Sequence, residues 1–125
     1  MAAPNIVGIT TVTGITTFVS LGDTNETLFL SNAASSGKVF KVNNIIVAND
    51  DGGSSADITI SIRDQDSIAG TRYKIAHTVA VAADSTLIVT DKASAIYLEE
   101  DRCLTAEASN GGDLDVVCSY EEISS

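Results

Sequence analysis

Residues 38–63 constrain the fold of this chain more than any other stretch. In 56–63 apolar and polar residues alternate, and successive side chains of a strand point to opposite faces, so the pattern predicts a strand with one dry and one wet face. Ile60 should face the core and Thr59 the solvent. Residues 38–49 are more apolar, which is typical of a strand covered on both sides. The turn-forming residues between the two runs predict a long β-hairpin.

Short β-type runs of this kind recur along the chain, separated by residues that favour turns. The chain has 125 residues, which is enough for one domain. The sequence therefore predicts an all-β, single-domain antiparallel β-sandwich, jelly-roll-like, of about eight or nine short strands, with a closed barrel as the alternative. Besides the central stretch and the N-terminal region, the predicted strands cover 27–31, 71–81, 85–90, 96–98, 104–108 and 114–120, which leaves 121–125 as a tail.

The C-terminal strands predict how the two cysteines are oriented. A loop at 110–112 would close a hairpin in which Ala108 pairs with Leu114. Residues opposite each other in a ladder share a face, so Cys118 should point inward and Cys103 outward. A disulfide needs a short Cα separation and suitably directed Cβ atoms. Both cysteines should therefore be free thiols, and the protein should be synthesised in a reducing compartment.

The first 20 residues carry no charged side chain, although the chain as a whole is strongly acidic. Two interpretations are open: an extended arm, 1–20, that precedes a β-sandwich domain, 21–125, and pairs with a neighbouring subunit, or the first strands of the domain itself. A free tail would not expose so many apolar side chains to water. We therefore expect a homo-oligomer, a trimer or other small ring. The predicted partner-contact residues are Ile6, Val7, Ile9, Val12 and Ile15.

The formal net charge of the chain is −10. This charge argues against nucleic-acid binding, which needs clustered Lys and Arg, and against binding to an anionic membrane surface. It favours solubility and resistance to self-association. No apolar run reaches the roughly 18 residues of a membrane helix. Residues 1–14 lack the basic and apolar regions of a signal peptide.

No residue pattern predicts catalysis, a metal site or a cofactor. His77, the single histidine, lies on the apolar parity of its strand without a second ligand at metal-binding spacing, and is interpreted as structural. Residues 35–38 lack the leading Gly and the Ser or Thr of a phosphate-binding loop. The acidic loops at 49–51 and 64–67 have oxygen ligands for Ca²⁺ but not the EF-hand spacing. We predict a non-enzymatic protein without cofactors or metals.

Several stretches after residue 30 carry a resemblance to a known family. They read SNAASSGKVFKVN at 31–43, ADITI at 56–60, TVAVAADSTL at 78–87, IYLEE at 96–100 and SYEEIS at 119–124. Through them the chain resembles the small virion structural proteins of tailed phages that infect marine cyanobacteria. These stretches belong to a scaffold and are not functional motifs, so the resemblance implies no catalytic residue.

The resemblance implies a structural protein on the exterior of the virion, and in particular a capsid decoration (cement) protein of the head, made in the host cytoplasm. Its implied partners are the major capsid protein or other virion proteins. A neck, tail or fibre component is the alternative within the virion. A carbohydrate-binding β-sandwich is the alternative from another class, and Tyr73, Tyr97 and Tyr120 would then be its stacking platforms.

Overall fold

The computed structural model of the protein describes residues 6–125, and its regular structure is almost entirely β. One turn of 3-10 helix, Lys92–Ser94, precedes β7. No helix within the described range is long and apolar enough to cross a membrane. The strands are β1 Thr11–Leu21, β2 Thr27–Asn32, β3 Lys38–Asn49, β4 Ala56–Arg63, β5 Arg72–Val81, β6 Thr86–Thr90, β7 Ile96–Leu98, β8 Arg102–Ala108 and β9 Leu114–Ser124.

The strands form two antiparallel sheets that face each other as a sandwich. Sheet A has the order β1-β9-β3-β6, with β7 also pairing with β3, and sheet B has the order β2-β8-β4-β5. The chain passes repeatedly from one sheet to the other, so that neighbours within a sheet are mostly distant in sequence. This winding is that of a jelly roll. The predicted all-β, jelly-roll-like sandwich is therefore confirmed.

Both predicted hairpins are wrong. β3 and β4 belong to different sheets, and so do β8 and β9. Ala108 lies opposite Ile58, whereas Leu114 lies opposite Leu21 and Asn49. The alternation of apolar and polar residues indicates which face of the sheet each side chain lies on. The same pattern arises when two consecutive strands pair within one sheet and when the chain crosses about 10 Å to the facing sheet between them.

The core fills the space between the sheets with aliphatic side chains from both. The ring centroids of Phe40 and Tyr120 lie 5.0 Å apart in a tilted contact, which adds an aromatic pair at one side. The predicted inward orientation of Ile60 is confirmed. Core side chains with no exposed area include Val42, Ile45, Val47 and Val116 of sheet A and Ile58, Ile60, Leu104 and Ala106 of sheet B.

Thr59 and Ser61 of β4 face away from the core, as expected, but they are not exposed to solvent. Thr59 is only 6% exposed, and Ser61 is fully buried. The hydroxyl of Thr59 accepts a hydrogen bond from the backbone N–H of Thr78 at 3.0 Å. The guanidinium of Arg72 donates to Ser61 Oγ at 2.8 Å. The alternation of apolar and polar residues distinguishes the two faces of a strand, but it does not show whether other residues bury the outer face.

β5 departs from regular alternation in its middle. Ile58 lies opposite Val79 and Ile60 lies opposite Ala76, so β5 has an extra residue across this step. Thr78 takes a left-handed φ of 46°, which β-branched residues rarely adopt. This β-bulge interrupts the parity, and His77 is exposed. The interpretation of His77 as a side chain on an unbroken apolar face is therefore wrong.

The two cysteines are free and lie on opposite faces, as predicted. Cys118 belongs to the core, and burial raises the pKa of its thiol to about 12. Cys103 lies opposite Arg63 on the outer face of sheet B. Its Sγ is 3.7 Å from the carbonyl oxygen of Ser67, and burial raises the pKa of this thiol too. Cys103 points outward, yet it is covered.

Candidate interaction surface

The described residues contain no group of three or more His, Cys, Asp or Glu side chains that could hold a metal ion. The acidic loop at 64–67 uses its carboxylates to hold backbone. Asp64 Oδ1 accepts from the N–H of Thr71 at 2.7 Å, and Asp66 Oδ2 accepts from the N–H of Ala34 at 3.1 Å. These hydrogen bonds give the carboxylates a role in the loop structure.

An open depression of about 280 Å³ lies on sheet B beside the bulge of β5. His77 is at its wall, together with Lys74 and Asp57. The Nη2 atom of Arg72 lies 2.8 Å from Glu107 Oε1, so these two charges form an ion pair. Because both cationic and anionic side chains line the depression, it offers no single sign of charge to a ligand.

Glu26 is the centre of an ion-pair network over the same sheet. Its Oε2 accepts hydrogen bonds from Arg63 Nε at 2.9 Å and from Thr105 Oγ1 at 2.6 Å, and Arg72 Nε lies 3.6 Å away. The hydrogen bonds from Arg63 outweigh the effect of burial and lower the pKa of Glu26 to about 2. The outer face of sheet B is thus a charged surface whose central charges are paired internally.

The outer face of sheet A carries an apolar row that runs across four strands. Phe18 of β1 lies opposite Val117 of β9, Val117 opposite Ile46 of β3, and Ile46 opposite Ile88 of β6. The two ends are strongly exposed, with Phe18 at 76% and Ile88 at 62%. We call these four residues the apolar row. Residues directly opposite in a ladder share a face, so the row is continuous over about 14 Å.

Polar residues flank the apolar row, and one of them, Asp115, carries a negative charge. On one side Thr16, Ser119 and Asn44 follow the same register. The hydroxyls of Thr16 and Ser119 are 3.1 Å apart, and Asn44 Oδ1 accepts from the N–H of Ser119 at 3.1 Å. On the other side Ser20 donates a hydrogen bond to Asp115. An apolar centre with a hydrogen-bonded polar rim is the usual anatomy of a protein–protein interface.

The structure places the five predicted contact residues in two different environments. Ile6 is 50% exposed, Val7 91% and Val12 52%. Ile9 and Ile15 are half-buried, and Ile15 packs against the core. Of these residues, Val12 and Ile15 lie in β1, which pairs with β9 along its whole length.

Sequence reasoning missed the apolar row itself. Its residues stand at positions 18, 46, 88 and 117, each among polar or core neighbours, and only the register of β1, β9, β3 and β6 aligns them. Phe18 carried the one usable signal, because it is a large apolar side chain in an uncharged segment. The other three look like ordinary strand residues.

The three tyrosines considered as carbohydrate platforms are not brought together. Tyr73 is 58% exposed on β5 of sheet B, and Tyr97 is 48% exposed on β7 of sheet A. Tyr120 is only 9% exposed and packs against Phe40 in the core. A sugar ring would therefore meet single tyrosines, without the paired aromatic surface that stacking sites commonly use.

No protein-family model matches the chain, and no curated protein is similar to it. Solved structures are similar in fold. A chain of the Bacillus endospore appendages, which form disulfide-linked pili, aligns at a TM-score of 0.52 and 12% identity, covering 91% of this chain and 88% of that one. A chain of the infectious bursal disease virus (IBDV) T13 particle aligns at 0.52 and 10%, covering 93% of this chain but only 32% of that one.

A chain of the cyanophage Pam1 capsid aligns over 100% of this chain and 93% of its own length, at 15% identity and a TM-score of 0.38. The first two alignments agree with the sandwich described above, and at 10–12% identity they show a shared fold alone.

Proposed function

We propose that this chain is a structural protein of a phage virion, and specifically a decoration protein on the exterior of the head that acts through protein–protein contacts. The observation that carries the proposal is the apolar row with its polar rim. A chain of net charge −10 can approach another acidic surface where it presents no charge of its own. The sequence resemblance to cyanophage virion proteins supports the proposal, and the fold shared with a chain of the IBDV T13 particle is compatible with it.

In this proposal sheet A faces the partner, the major capsid protein or another virion protein, and sheet B faces solvent. The exposed ends of the row, Phe18 and Ile88, would enter apolar depressions of the partner, and the rim would exclude water. The ion-pair network around Glu26 would stay on the outside. Each contact can be weak, because many copies bound to one lattice add their affinities.

The uncharged N-terminal segment is part of the same proposal. Residues 1–20 would supply contacts through Ile6, Val7, Ile9, Val12 and Ile15, three of which are exposed in the single chain. We propose that the protein is made in the host cytoplasm and forms a homo-oligomer. A trimer stays a prediction from the sequence.

The alternatives have less support. A disulfide-linked appendage like that of Bacillus would need accessible thiols, and both cysteines here are buried. A carbohydrate-binding module would need an aromatic platform, and Tyr73 and Tyr97 lie on different sheets. A neck, tail or fibre component would use the same surface at another place in the particle.

Immunogold electron microscopy of intact virions with an antibody against this chain tests the proposal. Label spread over the head supports a decoration protein. Label restricted to the neck, tail or fibres supports the alternative location, and purified particles without label would overturn the virion assignment.

A second experiment tests the contact surface. Particles that lack the protein are incubated with the wild type, with Ile88→Asp, or with Tyr73→Asp, a control at a similarly exposed apolar residue on the other sheet. Binding should be lost with Ile88→Asp and kept with Tyr73→Asp. Equal binding of both variants would exclude the apolar row as the contact.

A further inference from the structure

The sandwich has four sheet edges, and β1 forms the least protected of them. Within residues 6–125 no strand pairs with the side of β1 that faces away from β9. β1 has 11 residues, and its ladder with β9 runs from Thr11 to Leu21 without a register shift. It contains neither a proline nor a charged residue. A long, regular, uncharged edge strand is a template for pairing with another strand.

The other three edges carry the protection that β1 lacks. β6 is 5 residues long and β7 is 3. β2 has 6 residues and a register shift against β8. β5 is longer, but it has two register shifts against β4 and carries Arg72, Lys74 and His77. Short edges, bulges and charged side chains are the devices by which natural sheets avoid edge pairing, so the contrast singles out β1.

We propose that β1 of one copy pairs antiparallel with β1 of a second copy about a two-fold axis at Ile15, joining two A sheets into one continuous sheet. This inference concerns the isolated protein and does not depend on the proposed place in the virion. In a symmetric antiparallel pair, residue numbers opposite each other have a constant sum, which is 30 when the axis passes through Ile15. Thr13 then lies opposite Thr17, Gly14 opposite Thr16, and Ile15 opposite itself.

The exposed side chains of β1 select this register. Val12 and Phe18 are the two exposed large apolar residues of the strand, at 52% and 76%, and the sum of 30 places Val12 of each copy opposite Phe18 of the other. A register centred on Thr16 would instead place Phe18 opposite Gly14 and Val12 opposite Ser20. Apolar and aromatic side chains directly opposite each other stabilise a sheet. The strand is therefore complementary to itself in one register.

The distribution of charge permits two copies of net charge −10 to meet here. β1 has no charge, and the nearest acidic side chains of sheet A, Asp115, Glu121 and Glu122, lie on β9. Across the joined edge the order would be β9, β1, β1, β9. The two β9 strands are then about 14 Å apart, which is longer than the screening length of about 8 Å at physiological ionic strength.

β1 pairs better with β1 of a second copy than with any other edge strand of that copy. The pairing with itself engages 11–19, whereas β6 would offer only 5 residues. A two-fold contact also closes at two copies. The trimer predicted from the sequence would need a different, head-to-tail contact, so the two expectations compete and one measurement separates them.

Disulfide cross-linking of the full-length protein tests the register. Opposed residues of an antiparallel pair have Cα atoms about 4.5–5.5 Å apart, within the range of a disulfide. The variant Val12→Cys/Phe18→Cys should form a covalent dimer on mild oxidation. The control Val12→Cys/Ser20→Cys, which would cross-link only in the register centred on Thr16, should not. Cys103 and Cys118 have no exposed area and should remain unmodified.

Native mass spectrometry and sedimentation measure the assembly itself. The wild type should be a dimer, and Phe18→Lys should raise its dissociation constant about tenfold or more, as removal of a buried aromatic contact does. Tyr73→Lys, at an exposed aromatic residue of sheet B, should leave it unchanged. A monomeric or trimeric wild type, or equal cross-linking of both cysteine variants, would overturn the pairing. Failure of virion binding alone would not affect it.

Discussion

The side chain of Asn49 joins the two sheets by donating a hydrogen bond from Nδ2 to the carbonyl oxygen of Val81 at 2.9 Å. Asn49 ends β3 in sheet A, and Val81 ends β5 in sheet B. Asn49 Nδ2 also donates to the carbonyl oxygen of Ser54 at 3.0 Å. Asn32 makes the equivalent connection from sheet B, donating to the carbonyl oxygen of Leu98 of sheet A at 3.0 Å.

Replacing Asn49 by Ala should destabilise the protein. Asn49 is 3% exposed, and its loss removes the donor to the buried carbonyl oxygen of Val81, which costs about 1–3 kcal/mol. The free energy of unfolding in urea measures the effect. Asn25→Ala is the control, because Asn25 is exposed and should change stability by less than about 0.5 kcal/mol. Similar values for the two variants would contradict the role given to Asn49.

The carboxylate of Glu26 should make stability depend on pH in the acidic range. Its pKa is lowered from 4.5 to about 2 in the folded protein, so its contribution is fully present above about pH 4.5. That contribution is lost as the pH falls towards 2. Allowing for solvent screening at an outer face, we expect about 1–2 kcal/mol. Urea unfolding at a series of pH values should show the decrease.

The variant Glu26→Gln should be less stable at pH 7, because Arg63 loses its anionic partner and Arg72 keeps only Glu107. It should also lose part of the decrease between pH 4.5 and pH 2. Glu99→Gln, at an exposed carboxylate, should retain the wild-type profile. An unchanged profile for Glu26→Gln would show that other carboxylates dominate acid unfolding.

Substitutions at neighbouring positions of β4 should differ strongly. Ile60→Asp should prevent folding, because it buries an unpaired carboxylate in the core. Thr59→Asp, which the alternation alone would make silent, should cost about 1–2 kcal/mol, since it places a charged carboxylate at a position that is 6% exposed. Thr59→Ser keeps the hydroxyl and should be nearly neutral. Circular dichroism and thermal melting compare the variants.

The thiols should react slowly in the native state and in a fixed order. Cys103 lies under the loop at 64–70 and should react first when that loop opens, whereas Cys118 should react only when the core unfolds. Timed alkylation followed by peptide mass spectrometry separates the two rates. Faster labelling of Cys118 would contradict this order, and in urea both thiols should react at once.

Deletions from residue 2 onward should show which N-terminal residues the fold requires. A variant lacking residues 2–10 should fold, because β1 begins at Thr11. A variant lacking 2–19 should not, because Ile15 and Val19 pack against the core and β9 loses one of its two neighbouring strands. Circular dichroism and size-exclusion chromatography give the result. A folded 2–19 deletion would mean that β1 is dispensable to the sandwich.

The sequence was informative about faces and uninformative about neighbours. The alternation around Ile60 predicted a core-facing side chain, because side-chain direction is a local property of a strand. It could not predict that β4 lies beside β8, since pairing depends on contacts between distant segments. For the same reason the apolar row, from Phe18 to Ile88, could not be predicted from the sequence. The bulge at Thr78 also has no signal in the sequence, because a left-handed φ at a β-branched residue runs against its local preference.

The pairing of β1 with β9 also determines when sheet A can be completed. During synthesis β1 leaves the ribosome before the other described strands, and the strand that it pairs with, β9, is the last of them. Contacts of such high sequence separation form slowly, because a long loop must close first. Nascent chains therefore carry an unpaired, uncharged strand until β9 has emerged, and neighbouring chains on one messenger RNA could meet through β1 during that interval. The yield of correctly folded protein would then rise when translation is initiated more slowly or when fewer chains are made at once. Substitutions that stabilise the folded protein would not raise it.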